Sequence, residues 1–195
     1  MDALDLAVWV FLGALAGVVL WAVVTYNKLV RLRNRADAVW ADIEVQLKRR
    51  HDLVPNLVET VEAYAVHERA TLDEVTQARR QAVEANSADD ATRAENVLSG
   101  ALGRLLATAE DYPELEAEDR FQDLHNDLRR LEDVIALARQ AYNLSVQAYN
   151  NAVQTVPTNV VAWIASFPAR EFLSAPASEH EVPAAEFDLP PVPAR

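Results

Sequence analysis

The sequence predicts an all-α fold: an N-terminal transmembrane helix continuous with a long antiparallel four-helix bundle, then a disordered tail. Three observations carry this. Residues 6–24 contain no charged side chain. Helix breakers are scarce, with four glycines in the chain and only Pro55 and Pro113 ahead of the proline-bearing region that starts at Pro157; a sheet protein needs many more turns. Elsewhere apolar residues recur at alternating steps of three and four, the spacing that aligns them on one helix face.

The uncharged run is almost wholly Ala, Val, Leu, Gly, Phe and Trp, including Leu6, Trp9 and Phe11. About 19 residues at 1.5 Å each cover roughly 28 Å, close to the ~30 Å hydrocarbon thickness of a bilayer. The flanks set direction. Asp2 and Asp5 precede the run, unlike the basic start of a cleaved signal peptide, whereas Lys28, Arg31, Arg33 and Arg35 follow it. The positive-inside rule then predicts a single-pass protein of the cell (inner or plasma) membrane with its N-terminus outside and its body cytoplasmic. Trp21 and Tyr26 suit the inner interface, where an amphipathic ring keeps its polar atom wet. Gly13 and Gly17, beside Ala14 and Ala16, form a small-xxx-small pair through which two such helices can approach.

Four further helical segments are predicted. Leu29, Leu32, Ala36, Val39, Ile43 and Leu47, with Trp40 beside them, continue the membrane helix without a breaker as one rod. Asp52 is suited to N-cap a second helix with Pro55 in its first turn, running to about Ala85 with Leu57, Val61, Tyr64, Leu72 and Val75 inward. Asn86, Ser87, Asp89 and Asp90 connect to and cap a third, which buries Val97, Leu98, Ala101, Leu102, Leu105 and Leu106 and ends before Pro113. The fourth, about residues 117–156, holds a 4,3 repeat from Phe121 and Leu124 through Leu128, Leu131, Ile135, Ala138, Tyr142, Ser145, Tyr149 and Ala152 to Val156, as in coiled-coil packing.

Short connections make neighbours antiparallel, so the end of the fourth helix returns to the bilayer. Trp163, Phe167 and Phe172 then either touch lipid headgroups or dock on the base of the bundle. The domains read as 1–5 extracytoplasmic, 6–25 transmembrane, 26–173 cytoplasmic bundle and 174–195 an acidic, proline-rich tail too poor in apolar residues to order itself.

A net charge of −12 opposes general nucleic-acid binding. Without cysteine, disulfides, thiolate nucleophiles and Cys-bound metal centres are excluded. Reading back three positions from His51, His67, His125 and His180 gives Lys48, Tyr64, Gln122 and Ala177, so the Glu-x-x-His signature of di-iron bundles is missing. His67-Glu68 lacks the second histidine of a zinc protease helix, and neither a phosphate-binding glycine loop nor a serine elbow occurs. No cofactor is implied and no catalysis is expected. The polar feature that stands out is Lys48, Arg49, Arg50, His51 and Asp52 with Pro55 and Asn56, read as the corner between the first two cytosolic helices and directed away from the bilayer. It is either a partner-binding knob or a structural corner, with Asp52 as cap, Pro55 as helix starter and the arginines clamping helix ends or later acidic residues.

Several of these residues stand in a recognisable order. Tyr26-Asn27-Lys28-Leu29-Val30, Arg33-Asn34, Val45-Gln46-Leu47-Lys48-Arg49-Arg50, Asp52-Leu53-Val54-Pro55-Asn56-Leu57-Val58, Tyr64-Ala65, His67-Glu68 and Ala78-Arg79 resemble the LemA family of bacterial membrane proteins. Tyr112-Pro113-Glu114-Leu115, Ala138-Arg139, Tyr142-Asn143, Tyr149-Asn150 and the stretch 163–172 extend the resemblance over nearly everything except the tail, which lies outside the family pattern on this reading. The resemblance implies an N-out, C-in anchor, a four-helix antiparallel bundle and no established catalytic activity, with some relatives linked to membrane metalloproteases or to membrane remodelling in magnetosomes. The expected function is a membrane-anchored scaffold or adaptor, self-associating and presenting its bundle to membrane machinery; the alternative is a membrane-shaping or membrane-stress protein acting on the bilayer itself. Expected partners are the lipid bilayer, further copies of the chain and another membrane protein such as a metalloprotease.

Overall fold

A computed structural model describes residues 3–174. Of the expected disordered tail, residues 174–195, all but Ser174 lies outside the described residues. All regular structure in the described chain is helical: α1 Ala3–Glu62, α2 Arg69–Glu84, α3 Ala88–Ala109, the short α4 Pro113–Glu116, α5 Asp119–Gln154 and α6 Thr158–Ile164.

Helix α1 has 60 residues, about 90 Å of continuous rod. Residues 5–21 are exposed throughout, and Thr25 is the first buried position. From there one stripe turns inward: Thr25, Leu29, Ala36, Ile43, Leu47, Arg50, Val54, Leu57 and Val61 are buried, with Leu32 and Val39 partly so. These steps of three and four (seven between Leu29, Ala36 and Ile43) match the stripe of α5, and the two helices run antiparallel. Leu29 meets Tyr149 near the apolar run, Ala36, Ile43 and Leu47 share a cluster with Leu131, Ile135 and Val146, and Val54 to Val61 pack with Phe121, Leu124 and Leu128 at the far end. Helices α2 and α3 fill that far half through Leu72, Val75, Leu98, Ala101 and Leu105.

The second helix does not begin at Asp52 and Pro55. Helix α1 passes through Pro55 and ends at Glu62, and the turn to α2 occupies residues 63–68. Proline inside a helix removes the hydrogen bond to the carbonyl four residues back, here that of His51. Arg79 of α2 replaces it: its Nε donates to the His51 carbonyl oxygen at 2.6 Å. A charge-assisted bond from a neighbouring helix thus offsets the lost N–H, and the apolar stripe continues across the proline. Asp52 accordingly caps nothing; it is exposed and pairs with Lys48 one turn away at 3.4 Å.

Three expected core residues face outward: Tyr64, Val97 and Val156 are exposed. Tyr64 lies in the turn after α1, Val97 is displaced from the α3 face carried by Leu98, and Val156 follows the end of α5. The third helix is capped as expected, Ser87 Oγ accepting from the Asp90 amide at 3.1 Å and donating to Asp90 Oδ2 at 2.7 Å. These bonds, with the Arg93 guanidinium, hold the Asp90 carboxyl below its usual pKa.

Arg79→Met leaves the His51 carbonyl without a donor and should destabilise the full-length protein by about 1–3 kcal/mol in denaturant unfolding in detergent. Pro55→Ala restores an N–H to that carbonyl, so Arg79→Met should cost clearly less in the Pro55→Ala background; equal costs would mean that Arg79 acts some other way.

Candidate functional site

Continuity of α1 moves the basic run from a corner into the middle of the packed helices. Lys48 and Arg49 face solvent, with Lys48, His51, Asp52 and Arg79 on the wall of a cleft of about 460 Å³ between α1 and the α2–α3 turn. Pro55 and Asn56 are exposed on the outer face, and the Asn56 carbonyl accepts from Thr60 Oγ1. Arg50 instead occupies a stripe position with its side chain 3% exposed.

There it meets three groups from two helices. Its Nη1 lies 3.5 Å from Glu95 Oε2 of α3 and 3.3 Å from Glu132 Oε2 of α5, while Nη2 donates to Ser99 Oγ at 2.7 Å. His51 Nε2 lies 2.5 Å from the other Glu95 oxygen, and Ser99 Oγ donates to Glu132 Oε1 at 3.2 Å. Glu95 is buried, so each of its oxygens meets a nitrogen partner, as a buried carboxylate requires. The cluster ties α1, α3 and α5 together. Its members are engaged with one another, and among the described residues no group of three or more His, Asp or Glu side chains could hold a metal ion.

A second polar array lies toward the apolar end. After α6 the chain turns back along α5 in extended form. Tyr149 donates its hydroxyl to the Pro168 carbonyl at 2.8 Å. Asn150 accepts from the Arg170 amide at 2.9 Å and donates to the Arg170 carbonyl at 2.8 Å, and Asn143 does the same for Leu173 at 2.9 and 3.0 Å. The spacing is geometric: seven helical residues rise about 10.5 Å and three extended residues about 10 Å. Arg139 adds a bond to the Ser174 carbonyl, and Arg170 reaches Asp37 of α1 at 2.5 Å. Residues 168–174 are therefore latched by their backbone to α5 and by one ion pair to α1.

The end of this unit nearest the apolar run is built by α6. Val161, Ala162 and Phe167 are buried against Leu29 and Tyr149, with Ala22, Val30 and Leu32 packed around them. Phe167 meets Tyr26 edge-on at 5.6 Å and lies 5.4 Å under the Arg33 guanidinium. It is a core residue, not an exposed interfacial one. Trp163 is 82% exposed, and Phe172 is exposed on the latched segment. Of the other predicted anchor and basic residues, Leu6, Trp9, Phe11, Gly13, Gly17, Trp21, Lys28, Arg31 and Arg35 all face outward from α1.

Sequence reading missed Glu95, Ser99, Glu132 and Arg79 as partners. The available signal was the apolar stripe itself, which runs through Arg50 and across Pro55 without a phase change.

An exposed apolar N-terminal helix stretch fused to a helical body defines a membrane-associated, all-helical protein. Comparison with known proteins names the group. The LemA family model matches residues 39–187, most of the chain, and the protein belongs to that family. The match reaches well into the tail, which corrects the expectation that the tail lies wholly outside the family pattern. Relatives include the magnetosome protein MamQ of Magnetospirillum gryphiswaldense, 27% identical over 83% of this chain and 66% of its own length. Magnetosome protein MamQ 2 of Paramagnetospirillum magneticum is 27% identical over 75% of the chain and 64% of its own length. Protein LemA of Metamycoplasma hominis is 26% identical over 70% and 63%. The chain thus spans just under two thirds of these relatives, and none of their names denotes an enzyme.

Arg50→Met strands buried Glu95 beside His51 and should cost about 3–5 kcal/mol in denaturant unfolding, whereas Glu132→Gln, at a half-exposed position, should cost about 1 kcal/mol. Burial also raises the Tyr149 phenol above its ordinary pKa. The folded state therefore holds that proton more tightly, so the Tyr149 contribution persists below about pH 10 and is lost as pH rises through the folded value. Hydrogen exchange of residues 168–174 should show the latch loosening in alkali, and Tyr149→Phe should loosen it already at neutral pH and flatten that dependence.

Proposed function

We propose that the chain is a non-enzymatic, membrane-anchored scaffold or adaptor of the LemA type. Its N-terminus lies outside the cell, and an antiparallel four-helix bundle in the cytoplasm is presented to machinery of the cell membrane, a membrane metalloprotease being one such partner. The observation that carries this reading is the single helix α1, which joins an exposed apolar stretch to the far end of the bundle and is packed against α5 along its cytoplasmic length. A bundle held this way keeps a fixed distance and tilt relative to its anchor, which is what a presenting scaffold needs. The internal ion cluster and backbone latch serve rigidity in the same way.

Self-association is part of the proposal. Gly13 and Gly17 lie on exposed positions where an added Cβ meets nothing within 4 Å, so the small-residue face is open to a second helix. Direct action on the bilayer is the second reading, favoured by the exposed apolar side chains of α6.

Light scattering of the full-length protein in nanodiscs or detergent, with the detergent contribution removed, should give a discrete oligomer. Gly13→Leu with Gly17→Leu should lower its mass without changing helicity, because no intramolecular contact is disturbed. A monomeric wild type would defeat self-association and leave an adaptor, whose partner would be sought by crosslinking in cells.

A further inference from the structure

Helix α6 is apolar on both of its faces. Val161 and Ala162 are buried against the base of the packed helices, while Val160, Trp163 and Ile164, at i, i+3 and i+4, form a second face that is 52%, 82% and 70% exposed. A short surface helix normally turns a polar face to water. Here the two polar residues, Thr158 and Asn159, stand in the first turn and the rest of the helix is apolar; between Arg139 and Arg170 there is no charged residue, in a chain that is 25% charged.

Position explains the composition. The cluster holding α6 includes Ala22 of the uncharged run together with Leu29, Val30 and Leu32 just beyond it. Helix α6 thus sits where α1 leaves the apolar stretch. Cations stand at the same level, Arg33 over the Phe167 ring and Lys28 and Arg31 exposed nearby. Apolar side chains with an exposed indole, on a helix packed beside the basic turn of α1, fit the boundary between acyl chains and anionic headgroups.

We propose that α6 is a second bilayer-contact site, lying shallowly in the leaflet beside the bundle with Val160, Trp163 and Ile164 inserted. The site rests on the reading that residues 6–24 cross the membrane, and it deepens the bilayer-directed alternative. With α6 in one leaflet only, each copy wedges that leaflet beside its own anchor. The Schellman turn that ends α6 holds it in place, the Phe167 amide donating to the Ala162 carbonyl at 2.9 Å and Ser166 adopting φ 55°.

The test uses the full-length chain in nanodiscs containing anionic lipid. Because the protein has no cysteine, a single nitroxide can be placed by Ile164→Cys, Val18→Cys or Arg130→Cys, all exposed positions whose replacement leaves the core intact. Oxygen, which partitions into lipid, and a water-soluble nickel chelate then report the surroundings of each label. The oxygen-to-nickel collision ratio at position 164 should exceed that at position 130 by about threefold or more, approaching that at position 18. A lipid-like label at 18 with a water-like label at 164 overturns the proposal while leaving the anchor standing. A water-like label at 18 overturns the anchor itself. A label at 164 shielded from both reagents, with dipolar broadening between labels, means that a second copy covers α6, and overturns the proposal too.

Discussion

The architecture depends on one hydrogen bond, from Arg79 Nε to the His51 carbonyl. Proline at position 55 should end or bend the first helix, because it removes a donor and crowds the preceding turn. With the donor returned from α2, the inward stripe of α1 keeps its phase from Thr25 to Val61 and can match α5 along its whole length beyond the apolar stretch. Everything else is referenced to this rod: where the far turn falls, how deep α2 and α3 reach, and where the bundle meets the apolar stretch.

On that rod the polar groups divide two tasks. Arg50 stands between the far apolar cluster and the middle one and engages acidic residues of α3 and α5 at once. Burying such charges gains little net stability over an apolar core, but removing one partner is severe. A one-step slip of α3 or α5 would strand Glu95 or the guanidinium, so the cluster selects one register from the many that apolar stripes of similar period would accept. Nearer the apolar end, Asn143 and Asn150 grip backbone groups, so the latch is set by the match of helix rise to extended-chain rise and by little of the side-chain identity it holds.

These two devices bear on the proposed role. A scaffold must transmit position, and both lock elements that would otherwise slide: the cluster fixes helix register, and the latch fixes the returning segment that follows α6. Membership of the LemA family agrees with a membrane-associated protein. To this the structure adds an exposed apolar face on α6, packed beside the end of the apolar stretch of α1.

What the sequence determined by itself was the all-helical class, the apolar run and the inward stripes of α1 and α5, because these are periodic signals set by local geometry and burial. The polar members of the α5 repeat, Tyr142, Ser145 and Tyr149, are buried where the repeat places them, and the Ser145 and Tyr149 hydroxyls donate to backbone carbonyls. What only tertiary structure decided was the fate of Pro55, the burial of Arg50 and the side of α6 that stays exposed. A proline reads as a boundary until Arg79, 28 residues beyond His51, satisfies the freed His51 carbonyl. A lysine-arginine run leaves open a partner-binding knob or a clamp on later acidic residues until Glu95 and Glu132, on helices distant in sequence, surround one of its members. Local pattern fixes which face of a helix is apolar; only packing decides which partner completes a buried charge.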